Sequence, residues 1–197
     1  MAERLRVGVL LSGRGSNMLA LSEYKRRDAD RFYDIVQVVS NVPEARGLVL
    51  AKRLGIPAWS KSHQGMTREE FDGEVEAILR AVGVEVVALA GYMRLLSPAF
   101  IARWPDRILN VHPSLLPAHK GLDTHQRAIL AGDEYAGCSV HLVSNELDSG
   151  RVLAQERVKI LPRDDAESLA ARVLEAEHRL YPMALDAFCR AIAFEAS

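Results

Sequence analysis

Three side chains that could stabilise an oxyanion and move a proton occur in the sequence: Asn110, His112 and Asp148. Asn110 and His112 follow the apolar pair Ile108 and Leu109. Alternate residues of a strand point to the same side, so the carboxamide and the imidazole are predicted to project together. Such groups, with a carboxylate, can donate hydrogen bonds and transfer protons. The alternative is a core strand that ends in two polar capping residues, with Asp148 as an ordinary turn aspartate.

A glycine-containing loop, residues 12–17, follows the first apolar run and opens a helical pattern. Glycines permit close backbone approach, and a helix N-terminus attracts phosphate through its free N–H groups and dipole. Two interpretations remain open, a tight strand-to-helix turn and a phosphomonoester site. A dinucleotide site is disfavoured, because Met18 replaces the third glycine of the GxGxxG pattern.

Apolar runs alternate with amphipathic segments, which predicts an α/β domain with a mostly parallel central sheet flanked by helices. We expect one domain over residues 1–197. The predicted strands are residues 5–11, 35–39, 84–90, 107–111, 139–143 and 152–160. The predicted helices are residues 16–25, 44–54, 68–82, 126–131 and 165–188. A capping box of Thr67 and Glu70 is predicted to open the helix at 68–82. The helix at 165–188 is expected to be broken near Pro182.

Three loops follow predicted parallel strands, at residues 12–17, 91–94 and 111–117. In open α/β sheets, ligands bind outside the carboxyl ends of the strands, so we expect these loops to gather at one edge. Residues 91–96 are interpreted either as the entry to a helix or as the wall of a pocket for a flat aromatic ligand. His141, on a predicted strand, is expected to be a half-buried structural residue.

Composition excludes several classes of protein. The formal net charge of -1 disfavours a nucleic-acid partner, which normally requires a basic face. The six histidines lack metal-ligand spacing, so no metal site is expected. Cys138 and Cys189 do not suggest a disulfide framework, and no apolar run is long enough for a membrane span. We therefore expect a cytoplasmic protein with no membrane partner.

Five motifs occur in order over residues 7–182: SGRGSN at 12–17, LAGYMRLLSP at 89–98, NVHPSLLP at 110–117, GLDTH at 121–125, and SVHLV at 139–143 followed by ELD at 146–148. Together they resemble the phosphoribosylglycinamide formyltransferases, a folate-dependent formyltransferase family. The resemblance implies a Rossmann-like formyltransferase fold. It also implies transfer of a formyl group from the cosubstrate 10-formyltetrahydrofolate to the amine of glycinamide ribonucleotide, in purine biosynthesis, through a tetrahedral oxyanion intermediate.

The same resemblance implies a role for each matching position. Asn110, His112 and Asp148 correspond to the catalytic residues. The positions for the substrate phosphate are Gly15, Ser16 and Asn17, and those for its sugar and glycinamide are Glu177 and His178. The folate-side positions are Arg68, Tyr92, Met93, Arg94, Leu95, Leu96, Ser144, Asn145 and Asp148. Asp148 either pairs with His112 and favours its imidazolium form, or organises a water that carries the proton.

Two residues depart from the family pattern: Ser149 replaces a common glycine and Arg151 a common proline, so the folate loop is expected to differ in shape. A formyltetrahydrofolate hydrolase, or a formyltransferase with another amine acceptor, is the alternative function. Such a hydrolase usually has an N-terminal regulatory domain, whereas the first strand here is predicted to begin at about Leu5. We expect a monomer or a homodimer.

Overall fold

A computed structural model describes residues 4–24 and 31–195, which form one seven-stranded sheet with helices on both faces. Its strands are β1 (Leu5–Leu11), β2 (Tyr33–Ser40), β3 (Ala58–Ser60), β4 (Val86–Leu89), β5 (Ile108–His112), β6 (Tyr135–Leu142) and β7 (Val152–Lys159). Its helices are α1 (Ser16–Glu23), α2 (Arg46–Arg53), α3 (Arg68–Ala81), α4 (Pro98–Arg103), α5 (Thr124–Ala131) and α6 (Ala166–Glu195).

The strand order is β3-β2-β1-β4-β5-β6-β7. Neighbouring strands from β3 to β5 are parallel, whereas β6 and β7 add antiparallel pairs at one edge. The prediction of a mostly parallel sheet is confirmed. All six predicted strands are present, with boundaries shifted by a few residues. Sequence reasoning missed β3, which has only three residues, because so short a run carries no periodicity.

Burial on both faces explains the continuous apolar runs of the central strands. Alternate residues of β1 belong to different layers. Val9 is part of the apolar cluster that also contains residues of α1, α2, α5 and α6, whereas Leu10 is part of the cluster that contains residues of α3 and α4. Val87 and Ala88 of β4 divide between the same two layers. The sheet is therefore a rigid centre from which the loops at the strand ends project.

The predicted helices are confirmed with shorter or longer bounds, and Lys25, the last residue of the first predicted helix, lies outside the described residues. Thr67 and Glu70 form the predicted capping box at the start of α3. The break expected near Pro182 is wrong, because α6 continues through it to Glu195. Pro182 is flanked by the fully buried side chains of Tyr181 and Leu185. Their burial offsets the cost of about 3 kcal/mol that an internal proline imposes on a helix.

The loops after the parallel strands meet at one edge of the sheet, as expected. Leu89 of β4 pairs with Leu10 on one side and with Asn110 on the other, so three strands end at the same level. The Ser12 amide donates to the Gly91 carbonyl oxygen at 3.0 Å, which joins the first two loops directly. Residues 91–96 form a loop that leads directly to Ser97, the N-cap of α4.

None of the helices in the described ranges combines the length and the apolar character needed to cross a bilayer.

Candidate active site

Asn110 and His112 lie at the carboxyl end of β5, where the antiparallel strand β6 brings His141 directly opposite Asn110. The Asn110 Nδ2 and His141 Nε2 atoms are 3.2 Å apart. The other ring nitrogen of His141, Nδ1, lies 2.9 Å from the Leu142 carbonyl oxygen. A carbonyl oxygen can only accept, so Nδ1 carries the hydrogen and Nε2 accepts from the Asn110 amide. His141 thus fixes which end of the carboxamide is the donor.

Burial is the largest influence on His141, and it lowers the pKa of the imidazole. The Leu142 carbonyl and the Asp148 carboxylate raise it again by smaller amounts, whereas His112 lowers it further. A neutral His141 agrees with its role as an acceptor from Asn110. His141 is only 2% exposed and touches the site, so the expectation of a half-buried structural residue is wrong.

Asp148 belongs to the turn between β6 and β7 and has a left-handed backbone conformation, with φ 48°. Its Oδ2 atom lies 3.3 Å from Nδ1 of His112, and its Oδ1 atom lies 3.6 Å from Nε2 of His141. The Gly121 amide donates to the same Oδ2 at 2.9 Å. The carboxamide, imidazole and carboxylate singled out from the sequence therefore converge around one position, with His141 as a fourth member.

The His112 ring is held from both sides. Its Nε2 atom lies 3.1 Å from the His119 carbonyl oxygen, and Nδ1 faces Asp148. Because the carbonyl can only accept, Nε2 carries a hydrogen. An imidazolium at this position would be bonded through both ring nitrogens, an arrangement suited to a proton donor.

The glycine loop forms a tight turn at the N-terminus of α1. Gly15 has φ +79°, and a Cβ atom built on it would lie 2.5 Å from the Gly47 Cα atom. Only glycine fits there. Asn17, the second residue of α1, is buried, and its Nδ2 donates to Glu177 Oε2 at 2.7 Å. The positions implied for the phosphate and for the sugar are therefore in direct contact.

His178 follows Glu177 on α6 and is half-buried. Its Nε2 atom is buried without a hydrogen-bond partner among the described residues. Burial lowers the pKa of this imidazole, while Glu175 raises it to a lesser extent.

The folate-side positions lie in two loops and at the start of α3. Met93 and Leu95 are 73% and 54% exposed, whereas Leu96 is buried. Arg94 donates through Nη2 to the Thr67 carbonyl oxygen, so this loop reaches the N-terminus of α3, where Arg68 is exposed. The remaining positions follow β6: Ser144 is half-buried and Asn145 is exposed.

Ser12 joins the glycine loop to the loop after β4, a role that sequence reasoning missed. Its hydroxyl donates to Asn41 Oδ1 at 2.6 Å and accepts from the Met93 amide at 2.8 Å. Gly121, the donor to Asp148, was also missed as a contact. The GLDTH motif marked its segment, but no sequence periodicity places a loop amide on a distant carboxylate.

Comparison with known proteins identifies the family. The formyl transferase family pattern matches residues 5–185. The chain belongs to the formyl transferase family. A phosphoribosylglycinamide formyltransferase of Haemophilus influenzae is 39% identical over 184 residues, which cover 93% of this chain and 86% of that protein. A crystal structure of a phosphoribosylglycinamide formyltransferase from Brucella melitensis is 47% identical, with a TM-score of 0.89 over 95% of this chain and 96% of that one.

Longer, trifunctional relatives also match over part of their length. The trifunctional purine biosynthetic protein adenosine-3 of Drosophila melanogaster is 44% identical over 184 residues. The match covers 92% of this chain but 14% of that protein. This formyl transferase chain therefore corresponds to one part of the fused protein.

No group of three or more His, Cys, Asp or Glu side chains in residues 4–24 and 31–195 is arranged to hold a metal ion.

The fit of Gly15 against Gly47 generates a stability prediction. A Gly15→Ala variant should lose at least about 2 kcal/mol of unfolding free energy, because alanine is strained at positive φ and its methyl meets backbone. Urea unfolding followed by circular dichroism measures this loss. Gly13→Ala is the matched control, since a Cβ there meets nothing within 4 Å. Equal stability of the two variants would contradict this explanation of the turn.

Glu177 generates a prediction for the pH dependence of stability. Burial raises the pKa of its carboxyl from 4.5 to about 7, while the bond from Asn17 lowers it by less. The neutral form is favoured in the folded state, so this contribution to stability is complete below about pH 4.5 and is lost as the pH rises through 7. Glu177→Gln cannot ionise. Its unfolding free energy relative to wild type should therefore rise between pH 4.5 and 8, by on the order of 3 kcal/mol.

Urea titrations of both proteins at several pH values measure this difference. The replaced hydrogen bond adds an offset that is independent of pH, so the change with pH is the informative quantity. A difference that stays constant from pH 4.5 to 8 would contradict the raised pKa.

Proposed function

We propose that this chain transfers a formyl group from 10-formyltetrahydrofolate to the primary amine of glycinamide ribonucleotide, a reaction of purine biosynthesis. The observation that carries the proposal is the convergence of Asn110, His112 and Asp148 at the sheet edge that also bears the glycine loop. The relatives that match along nearly their whole length are named for this reaction.

The residues around the loop after β4 fit the donor. When bound, 10-formyltetrahydrofolate supplies the formyl carbon that is transferred. The exposed apolar side chains of Met93 and Leu95 offer the kind of surface that a flat ring system covers. The exposed guanidinium of Arg68, at the start of α3, suits the carboxylates of the folate glutamate.

The glycine loop and α6 fit the acceptor. Residues 15–17 form the start of α1, where free N–H groups and the helix dipole favour a phosphate. Asn17 connects this position to Glu177, whose carboxyl group has oxygens that can accept hydrogen bonds from sugar hydroxyls. Neighbouring side chains thereby bind the phosphate and the sugar of one nucleotide.

Each central side chain has a separate task in the reaction. Asn110 Nδ2 carries two hydrogens and donates one to His141, so the other is available for the formyl oxygen as it gains negative charge. Both ring nitrogens of His112 are engaged, Nε2 by the His119 carbonyl oxygen and Nδ1 by Asp148, so the task of His112 is to hold this carboxylate in place. Asp148 lies 3.3 Å from His112, close enough for a proton to pass between the carboxylate and the imidazole.

Asp148 is also placed to manage the proton that the attacking amine must release. Its second oxygen lies 3.6 Å from His141, a neutral group that takes up none of the charge. A carboxylate in this position can accept the proton directly or through a water. The proton then reaches the nitrogen of the departing folate.

One assay tests the function. The purified protein is mixed with 10-formyltetrahydrofolate, with and without glycinamide ribonucleotide, and the release of tetrahydrofolate is followed. Release that requires the ribonucleotide is expected. Release without any amine would identify a hydrolase instead, and release only with a different amine would identify another acceptor. No release under any of these conditions would refute formyl transfer.

Asp148→Asn tests the assigned chemistry. The amide keeps the shape and the left-handed backbone but loses the charge and the basic oxygen. We expect kcat to fall on the order of 100- to 1000-fold, with KM for both substrates nearly unchanged. Asp106→Asn is the matched control, because Asp106 also has a left-handed backbone, with φ 53°, and lies exposed before β5. Near-normal kcat in Asp148→Asn would remove this carboxylate from the reaction.

A further inference from the structure

The segment 119–121 crosses the site and touches both members of the His112–Asp148 pair. The His119 carbonyl oxygen lies 3.1 Å from Nε2 of His112, and the Gly121 amide donates to Asp148 Oδ2 at 2.9 Å. His112 is only 6% exposed, so its ring nitrogens have little access to water as an alternative hydrogen-bond partner. The position of this segment therefore determines which nitrogen of His112 faces the carboxylate.

His119 occupies an unfavourable backbone conformation for a residue with a side chain, with φ 52°. Such a conformation costs roughly 1–2 kcal/mol and persists only where other contacts hold it. The contact here is between side chains: Nε2 of His119 lies 2.6 Å from Oδ2 of Asp133, just after α5. The His119 side chain is 17% exposed, so this pair is partly shielded from water.

Other bonds to the segment are weaker anchors. Lys120 Nζ donates to the Ser149 hydroxyl at 2.6 Å, and Arg127 donates to the Lys120 carbonyl oxygen, but both bonds are exposed. Exposed polar contacts contribute little, because water competes for the same groups. The bond between His119 and Asp133 is the better shielded of these anchors, and it belongs to the residue whose carbonyl faces His112.

We propose that His119 is a positioning residue for the transfer reaction: its imidazole, held by Asp133, places the main-chain carbonyl that orients the His112 ring. The inference rests on the proposed function and assigns His119 no contact with the substrates. We call the hydrogen bond between His119 and Asp133 the tether. Without it, the His112 ring can rotate and exchange its two nitrogens, which breaks the pairing with Asp148. The chemical step is then slowed, while the surfaces that bind the nucleotide and the folate are unchanged.

Four variants separate this role from a general structural one. His119→Ala removes the tether, and Asp133→Asn removes its charged acceptor. His119→Gln keeps an N–H donor at a similar reach, with the same backbone strain as alanine. Glu134→Gln is the control for Asp133→Asn, because it changes the net charge equally at the next, exposed residue.

We expect kcat to fall about tenfold to a hundredfold in His119→Ala, with KM for both substrates within about twofold of wild type, since small misplacements slow chemistry more than binding. Asp133→Asn should show a smaller fall in kcat. His119→Gln should recover most of the lost turnover, and Glu134→Gln should resemble wild type. Normal kcat in His119→Ala, or equal loss in the alanine and glutamine variants, would overturn the proposal.

A second measurement distinguishes failure of the positioning role of His119 from failure of the proposed function. Nitrogen-15 NMR of the ring nitrogens should show His112 with a fixed Nε2–H in wild type, exchange broadening in His119→Ala, and recovery in His119→Gln. Unchanged His112 signals in all variants would overturn the tether. If wild type transfers no formyl group, the proposed function fails, yet these spectra still test whether His119 orients the His112 ring. Should His119→Ala not fold, the pair Asp133→Asn and Glu134→Gln provides the same comparison.

Discussion

A buried carboxylate is the constraint around which this site is built. The Asp148 side chain is only 7% exposed, and a charge withdrawn from water is costly unless hydrogen bonds and opposite charge compensate it. The Gly121 amide supplies one bond, and His112 supplies the group that can become a cation. The Asp148 carboxylate thus also fixes the loop that contains Gly121. Binding geometry and chemistry depend on one set of contacts.

The sheet explains why these partners meet. β5 and β6 are antiparallel neighbours, and their register sets Asn110 opposite His141. The turn that follows β6 then returns Asp148 to the same edge. Parallel strands from β1 to β5 bring the loops that follow them to that edge, while the antiparallel addition brings the carboxylate there. The change from parallel to antiparallel pairing therefore lies at β5, the strand that carries Asn110 and His112.

Sequence reasoning predicted the fold class and the shared position of Asn110 and His112 because both leave local signals. Fully buried strands appear as apolar runs, and Asn110 and His112 show the alternation of a strand. Sequence reasoning failed where a residue's role depends on a contact with a residue far away in the chain. His141 looks like any strand histidine until Asn110 is placed opposite it, and the helix at Pro182 persists only because Tyr181 and Leu185 are buried against the sheet. Strand alternation also gave no indication of the tether between His119 and Asp133.

Ser149 and Arg151, the two departures from the family pattern, have different consequences for the loop between β6 and β7. Gly150 is the constrained residue there, because a Cβ atom on it would lie 1.8 Å from the Leu142 carbonyl oxygen. Arg151 contributes its own carbonyl, which accepts from the Leu142 amide, and a proline would offer the same acceptor. Ser149, in contrast, adds a hydroxyl that accepts from Lys120, a bond that glycine could not make. The arginine therefore leaves the ladder between β6 and β7 intact, whereas the serine links the turn that carries Asp148 to the segment that positions His112.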